Sequence, residues 1–174
     1  MSRPKPETFS HLTNSVRTKY IHQSTYSTKN RDIKMPIGET NLNALLRTLS
    51  PILSPETYVW ITTTQPLASL PLTTLQPVHL YQETEGLTLV VTKESAESHG
   101  FGYTFPCRKI TLKVHSSLEA VGMTAAISGR FTELGVSANV VSGYFHDHVF
   151  VPEGKEGIAM RGLEELAREA MENE

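Results

Sequence analysis

The chain has 174 residues, of which 39% are hydrophobic and 20% are charged, which is the composition of an ordinary globular protein. No apolar run approaches the ~18 residues that a membrane-spanning helix needs, and the single cysteine, Cys107, can form neither an internal disulfide nor a zinc site of the usual kind. We therefore expect one medium domain or two small ones in a reducing compartment, the cytoplasm, with no membrane association and no metal or cofactor.

Positive charge is concentrated at the N-terminus. Residues 1–34 hold seven of the 16 bases and two of the 18 acids, so the rest of the chain has a formal net charge of −7. Because an acidic body repels phosphate backbones, we expect no nucleic-acid binding by the folded part. Residues 1–34 show no sustained apolar pattern and are predicted to be a disordered basic leader or tail. Two alternatives stay open, namely a mitochondrial transit peptide and a functional start at Met35.

The half of the chain before Cys107 is predicted to contain two helices and three strands. Leucines spaced i, i+3, i+4 and i+7 indicate the first helix, which Pro51 ends. Alternating β-branched and aromatic residues indicate the strands, and Gly86 can take the positive φ of a hairpin turn. The predicted elements are the helix Leu42–Leu49, the strand Tyr58–Thr63, the hairpin strands Val78–Gln82 and Leu87–Thr92, and the helix Lys93–His99. A connector rich in Pro and Leu, residues 65–77, is predicted to be irregular.

The half after Cys107 is predicted to be strand, helix, strand, strand, helix. Its elements are the strand Lys109–His115, a long helix from after Ser117 to Gly135, the strands Ala138–Ser142 and His148–Val151, and the helix Lys155–Met171. Strand-helix-strand-strand-helix-strand is the ferredoxin-like plan, and each half contains most of it. We thus predict an α+β fold of two ferredoxin-like βαββαβ modules, residues 35–106 and 107–174, with antiparallel sheets and helices on one face.

The long helix carries two faces with little charge. One is an apolar stripe formed by Ala120, Met123, Ile127, Phe131 and Leu134. The other is made of small or apolar residues, namely Leu118, Val121, Gly122, Ala125, Ser128 and Gly129. A helix with so little charged surface is expected to pack on its own sheet on one side and on a second protein surface on the other. This pattern predicts a homodimer or a regulated protein partner.

Three stretches carry a resemblance to a known family. SSLEAVGMTAA, SANVVSGYFHDHVFVP and the opening MPIGETNLNALLRTLSPILSPETYVW are similar to small, stand-alone proteins with tandem ACT-like domains, whose activity is undefined. That family is related to the cytosolic arginine sensor of animal growth signalling. The resemblance covers about residues 35–172 and implies two ACT modules, the regulatory units that bind amino acids and pair their sheets edge to edge.

The resemblance also implies a site. In ACT modules a ligand sits near the loop between the first strand and its helix, where two modules meet. The candidate ligand-binding residues here are Ser116, Ser117, Leu118, Val121, Gly122, Asn139, Gly143 and Asp147. Physical chemistry agrees independently, because backbone N–H groups at a helix N-terminus with a Ser cap favour a carboxylate, and Asp147 could hold an α-ammonium. Plain capping by Ser116 or Ser117, with Gly122 as a packing contact, stays open as the alternative.

His146-Asp147-His148 is the constellation that most suggests a metal site. Imidazoles and a carboxylate are common zinc or iron ligands, but the sequence offers no third or fourth ligand nearby. We therefore expect no enzyme and no metal, and predict a non-catalytic regulatory protein that binds a small ligand, plausibly an amino acid. The alternatives are a structural or adaptor protein with a vestigial pocket and, less favoured, a metal-dependent enzyme that uses this hairpin.

Overall fold

A computed structural model describes residues 38–114 and 116–172. The expected leader, residues 1–34, and the strand end at His115 lie outside these residues. The helices are α1 (Leu42–Arg47), α2 (Leu72–Leu75), α3 (Lys93–Ser98), α4 (Met123–Glu133) and α5 (Glu156–Glu172), with a 3₁₀ turn at Leu67–Ser69. The strands are β1 (Pro51–Thr63), β2 (His79–Gln82), β3 (Leu87–Thr92), β4 (Thr104–Leu112), β5 (Asn139–Ser142) and β6 (Asp147–Pro152).

All six strands form one antiparallel sheet in the order β2-β3-β1-β4-β6-β5. The elements from β1 to β4 make a complete βαββαβ module, in which β4 is the fourth strand. The elements from β4 to α5 make a second module, in which β1 takes the place of the missing fourth strand. The predicted α+β fold with two ferredoxin-like modules is confirmed, and the modules share their two central strands.

The helices cover one face of the sheet. On the side of the second module, α1, α4 and α5 enclose one core cluster, which includes Ile110 and Leu112 from β4 and Val149 and Val151 from β6. On the side of the first module, a smaller cluster joins β1 and β3 to Leu75 of α2 and Ala96 of α3. Each cluster draws on alternate strand residues, as expected where one face of a sheet is buried. The helices therefore lie on one face, as predicted.

The opposite face carries a compact aromatic cluster. Tyr58, Val90, Cys107 and Phe150 are buried there, and Trp60 packs against them. The Phe150 ring makes edge-on contacts with Tyr58 and Trp60, with ring centroids 5.9 and 6.0 Å apart. Burial raises the pKa of the Cys107 thiol to about 11. The thiol is therefore protonated at neutral pH and acts as a core side chain.

The long helix begins later than the sequence predicts. α4 starts at Met123, preceded by Gly122 with a φ of 100°, and Ser116–Gly122 is not helical. The prediction of a helix that begins after Ser117 is therefore wrong, because Gly122 takes a left-handed conformation that interrupts any helix. The apolar stripe is confirmed for the helical part, since Met123, Ile127 and Phe131 are buried.

The second face of this region is exposed in the single chain. Leu118 and Val121 are 69% and 83% exposed, and Ala125 and Gly129 are exposed along α4. This surface is the one expected to pack on a second protein. It offers small side chains that allow close approach, and it is accessible in the chain that the structure describes.

Candidate functional site

A small concavity lies where the loop between β4 and α4, the start of α4 and the β5–β6 hairpin come together. Its volume is about 80 Å³. Its lining consists of Ser116, Ser117, Leu118, Ala120, Met123, Thr124, Ser142 and Asp147. Four of the eight predicted ligand-binding residues are therefore brought together at one place. Most of the lining side chains are polar or short, which suits a polar group of about the size of an amino-acid head group.

The wall opposite the loop comes from the hairpin. Asp147 begins β6 and pairs with Leu112 on one side and with Ser142 of β5 on the other. This position on a paired strand fixes the half-buried Asp147 carboxyl against the concavity. A carboxylate held in this way can accept hydrogen bonds from an ammonium group.

The loop wall is organised by turns. The Ser117 hydroxyl accepts a hydrogen bond from the Glu119 N–H at 3.2 Å, and the Ala120 N–H donates to the Ser117 carbonyl at 3.0 Å. Ser117 therefore caps a turn and not a helix, which corrects the prediction of a Ser cap for α4. The Ser117 N–H donates to the carbonyl of Glu39 at 2.9 Å. This N–H group, which was expected to face a ligand, already has a partner.

The N-terminus of α4 forms the third wall. Met123 and Thr124, the first residues of the helix, line the concavity. Within the described residues, no side chain caps the helix at Gly122. The leading N–H groups of an α-helix have no partner inside the helix and carry a partial positive charge. The N-terminus of α4, and not the Ser116–Gly122 loop before it, is thus the part that could hold a carboxylate.

The other four predicted residues lie outside this concavity. Val121 points into solvent, and Gly122 faces Leu42 of α1, whose Cδ2 would lie 3.0 Å from an added Cβ. Asn139 is exposed at the far end of β5, where it pairs with Phe150. Gly143 closes the hairpin turn through a 3.0 Å bond from its N–H to the His146 carbonyl.

Sequence reasoning missed part of the site. Ser142 and Thr124 line the concavity but stood out in no pattern, although Ser142 could have been found as the residue directly opposite Asp147 in the predicted hairpin. The contact between Glu39 and the serine loop had no sequence signal, because 78 positions separate Glu39 from Ser117 in the printed sequence. Long-range pairing of two short irregular segments leaves no periodicity to detect.

The histidines beside Asp147 have other partners. Nδ1 of His146 lies 3.2 Å from the Val114 carbonyl, and Nδ1 of His148 lies 3.0 Å from the Thr111 hydroxyl. Burial, followed by the nearby charges of Lys109 and His146, lowers the pKa of His148. Over residues 38–114 and 116–172, no three His, Cys, Asp or Glu side chains are grouped to hold a metal ion, and no helix has the length and apolarity to cross a bilayer.

The sequence matches two family models, and the fold is similar to that of solved structures. Residues 37–108 and residues 104–165 each match a family model described as an ACT domain. A protein of unknown function from Vibrio cholerae, described as a possible transport protein, is 42% identical, with a TM-score of 0.66 over 72% of this chain and 95% of that chain. No curated protein matches the sequence.

Two more distant structures share the fold alone. A protein from Agrobacterium tumefaciens is 11% identical, with a TM-score of 0.56 over 68% of this chain and 89% of that chain. The ligand-free regulatory subunit of aspartate kinase from Thermus thermophilus is also 11% identical, with a TM-score of 0.51 over 68% of this chain and 96% of that chain.

Proposed function

Since this chain belongs to the ACT-domain family and carries two such domains in tandem, we propose that it is a non-catalytic regulatory protein that binds an amino acid. The binding site is the concavity between Ser116, Asp147 and the start of α4. A cytoplasmic location suits such a sensor, and binding would change an interface that a protein partner recognises.

One observation carries the proposal. The concavity places the Asp147 carboxyl on one wall and the uncapped start of α4, at Met123 and Thr124, on another. An amino acid has two charged groups on one carbon, a carboxylate that favours a helix N-terminus and an ammonium that favours a carboxylate. The two walls therefore complement the two ends of an α-amino acid head group.

The volume indicates which part of the ligand is enclosed. A concavity of about 80 Å³ is small beside the roughly 300–1,000 Å³ of a site for a drug-sized ligand. It can enclose the head group, so the side chain of the ligand must extend outwards past Leu118. A second copy, docked on the exposed outer face of α4, would cover that opening. This arrangement supports a homodimer in which ligand binding and association are coupled.

The first experiment is calorimetry of the full chain with each of the 20 amino acids, beside thermal-shift measurements. We expect one amino acid or a small group to bind, and to raise the midpoint of thermal unfolding with concentration. The matched N-acetyl derivative and the matched decarboxylated amine should each bind much more weakly, because each lacks one of the two charges. An absence of binding by all 20, or binding of either derivative as tightly as its parent amino acid, would contradict the proposal.

The same small volume favours one alternative, a structural or adaptor protein whose concavity is vestigial. The two functions differ in what Ser116→Ala and Asp147→Ala should do. An adaptor predicts that both variants change nothing beyond stability, whereas the sensor predicts weaker ligand binding at unchanged fold. Size-exclusion chromatography with light scattering, with and without the ligand found above, adds a second readout, since only the sensor predicts that the ligand changes association.

A further inference from the structure

We propose that Gly38–Leu42, here called the N-terminal hook, is a positioning segment that holds the Ser116–Gly122 loop in the conformation that binds the ligand. The inference rests on the proposed function for its binding consequence, but the hook's effect on the loop can be measured without any ligand. Residues of the hook touch the loop at both of its ends.

The first contact is at the start of the loop. Glu39 forms a parallel bridge with Ser116, and its carbonyl accepts the Ser117 N–H at 2.9 Å. Gly38 lies against the same backbone so closely that an added Cβ would come within 2.6 Å of the Ser116 carbonyl carbon and 2.7 Å of its oxygen. Real Cβ atoms do not approach backbone so closely. Any side chain at position 38 would therefore push the hook and the loop apart.

The second contact is at the end of the loop. The Leu42 side chain packs on Gly122, with Cδ2 3.0 Å from where a Cβ would stand. Gly122, with its φ of 100°, directs the chain into α4, whose first residues line the concavity. Leu42 in turn packs on the core cluster that contains Leu45 and Met123. The contact thus connects the start of α4 to the rigid core through α1.

The hook is itself held in shape by short local bonds. Oε1 of Glu39 accepts the N–H groups of Thr40 and Asn41, both at 2.7 Å, and Oδ1 of Asn41 accepts the Ala44 N–H at 3.0 Å as the cap of α1. The two backbone bonds lower the pKa of Glu39, since they favour the ionised carboxylate. These local bonds restrict the conformation of the hook, which limits the conformational entropy that is lost when the hook holds the loop in place.

These contacts divide the concavity into two parts. Ser116, Leu118 and the start of α4 belong to the chain that the hook holds at both ends. Asp147 and Ser142 belong to the β5–β6 hairpin, which the sheet positions independently of the hook. Loosening the hook should therefore disturb the carboxylate side of the site and leave the ammonium side unchanged.

The experiment compares Gly38→Ala with wild type by hydrogen–deuterium exchange and by calorimetry on the full chain. Gly102→Ala is the matched control, since the same added methyl group would contact nothing within 4 Å there. We expect amide exchange over residues 116–122 to rise about tenfold in Gly38→Ala, as loss of one backbone hydrogen bond and its packing predicts. Exchange in β4 and β6 should stay at the wild-type level, and the affinity for the amino acid should fall by a similar factor.

Unchanged exchange in the loop of Gly38→Ala would overturn the proposal, and so would faster exchange in the loop at wild-type affinity. If Gly38→Ala does not fold, Glu39→Ala decides by the same two measurements, because it removes only the exposed carboxylate that organises the hook. If wild type binds no amino acid, the proposed function fails, and the exchange measurement alone still decides whether the hook positions the loop.

Discussion

The two hairpins of the sheet follow the same plan and have different surroundings. In each, a strand of four residues, a turn of four and a strand of six follow one another, as β2 and β3 in the first module and β5 and β6 in the second. Each turn is closed by the same bond, from Glu83 N–H to Gly86 O at 2.8 Å and from Gly143 N–H to His146 O at 3.0 Å. The backbone of the hairpin is thus the same in both modules.

The difference lies in the residue that follows the turn and in what faces it. Leu87 is 2% exposed in the apolar cluster of the first module, whereas Asp147, at the same place in the second, lines the concavity. In the first module, residues 64–78 connect the neighbouring strands with only short helical turns. In the second module, the corresponding connection contains the Ser116–Gly122 loop and the long helix α4. One scaffold therefore carries the concavity proposed as a site in one module and a closed core in the other, as expected where a site depends on particular residues and not on the fold alone.

The largest effect is expected when the first hairpin receives the residue of the second. Leu87→Asp would remove a buried leucine and place a carboxylate in an apolar cluster, so we expect the free energy of unfolding to fall by about 4 kcal/mol or more. Urea denaturation measures this, with Leu87→Ala as the control that separates the cavity from the charge. A smaller loss of unfolding free energy than in Leu87→Ala would mean that water reaches position 87. This end of the first module would then resemble the concavity of the second module, contrary to the burial of Leu87.

The reverse exchange should affect binding rather than stability. In Asp147→Leu the ammonium loses a charge-assisted hydrogen bond worth about 1.5–3 kcal/mol, so affinity should fall about tenfold to a hundredfold. Calorimetry gives the affinity, and a thermal melt should stay near that of wild type. Asp147→Asn keeps the shape without the charge and should fall in between. Wild-type affinity in Asp147→Leu would place the ammonium elsewhere.

The close packing of the long helices, which only the second module has, can also be tested. In the second module, the long helices α4 and α5 pack tightly at Gly162, where an added Cβ would collide with Leu134 and come within 3.4 Å of the Arg130 Cγ. The added methyl group must displace the tip of the half-buried Leu134 side chain, so Gly162→Ala should lack the stabilisation of about 1 kcal/mol that an alanine otherwise gives in a helix and should be less stable than Gly157→Ala. Gly157→Ala in the same helix, whose Cβ would meet only the Arg161 Nη1 at 3.7 Å, is the control. Equal effects of the two would show that α4 and α5 have room between them.

The smallest effect concerns the outer face of α4. An added Cβ at Gly129 would contact nothing within 4 Å in the single chain, so Gly129→Ala should stabilise the helix by about 0.5–1 kcal/mol. Thermal melts at two protein concentrations measure this change. Under the proposed homodimer this gain should shrink or become a loss as the protein concentration rises, because a second copy would lie against the added methyl group. An equal gain at both concentrations would argue against a dimer contact at this position.

The hairpins and the last helix could be predicted nearly to the residue. The alternating pattern and the turn at Gly86 predict the strand Leu87–Thr92, and the structure has the same two ends. The apolar stripe of the last helix predicts Lys155–Met171, and the structure has Glu156–Glu172. In these elements the apolar residues of the sequence pattern are the ones that the fold buries. β1 was predicted too short, as Tyr58–Thr63. In the structure the strand begins at Pro51 and includes Pro55, which lies at a register shift between Leu53 and Thr57.

The start of α4 and half of the site could not be predicted. The residues from Leu118 to Gly122 fit a helical pattern, but the left-handed conformation of Gly122 interrupts it, and the contacts of Glu39 with Ser116 and Ser117 and of Leu42 with Gly122 are distant in sequence. Ser116 and Asp147 were found because hydroxyl and carboxyl groups near a helix start suggest binding without any knowledge of packing. Val121 was misplaced because α4 begins at Met123 and not after Ser117, and Asn139 because it lies at the end of β5 away from the concavity.

The central strands, β1 and β4, each belong to both modules at once. A gene fragment that encodes the second module from β4 onwards would lack β1, which takes the fourth-strand place in that module, and would leave an unpaired hydrogen-bonding edge on β4 beside an opened core. The second module therefore depends on a strand encoded in the first half of the chain, so a cut between the halves would open the core of the second module.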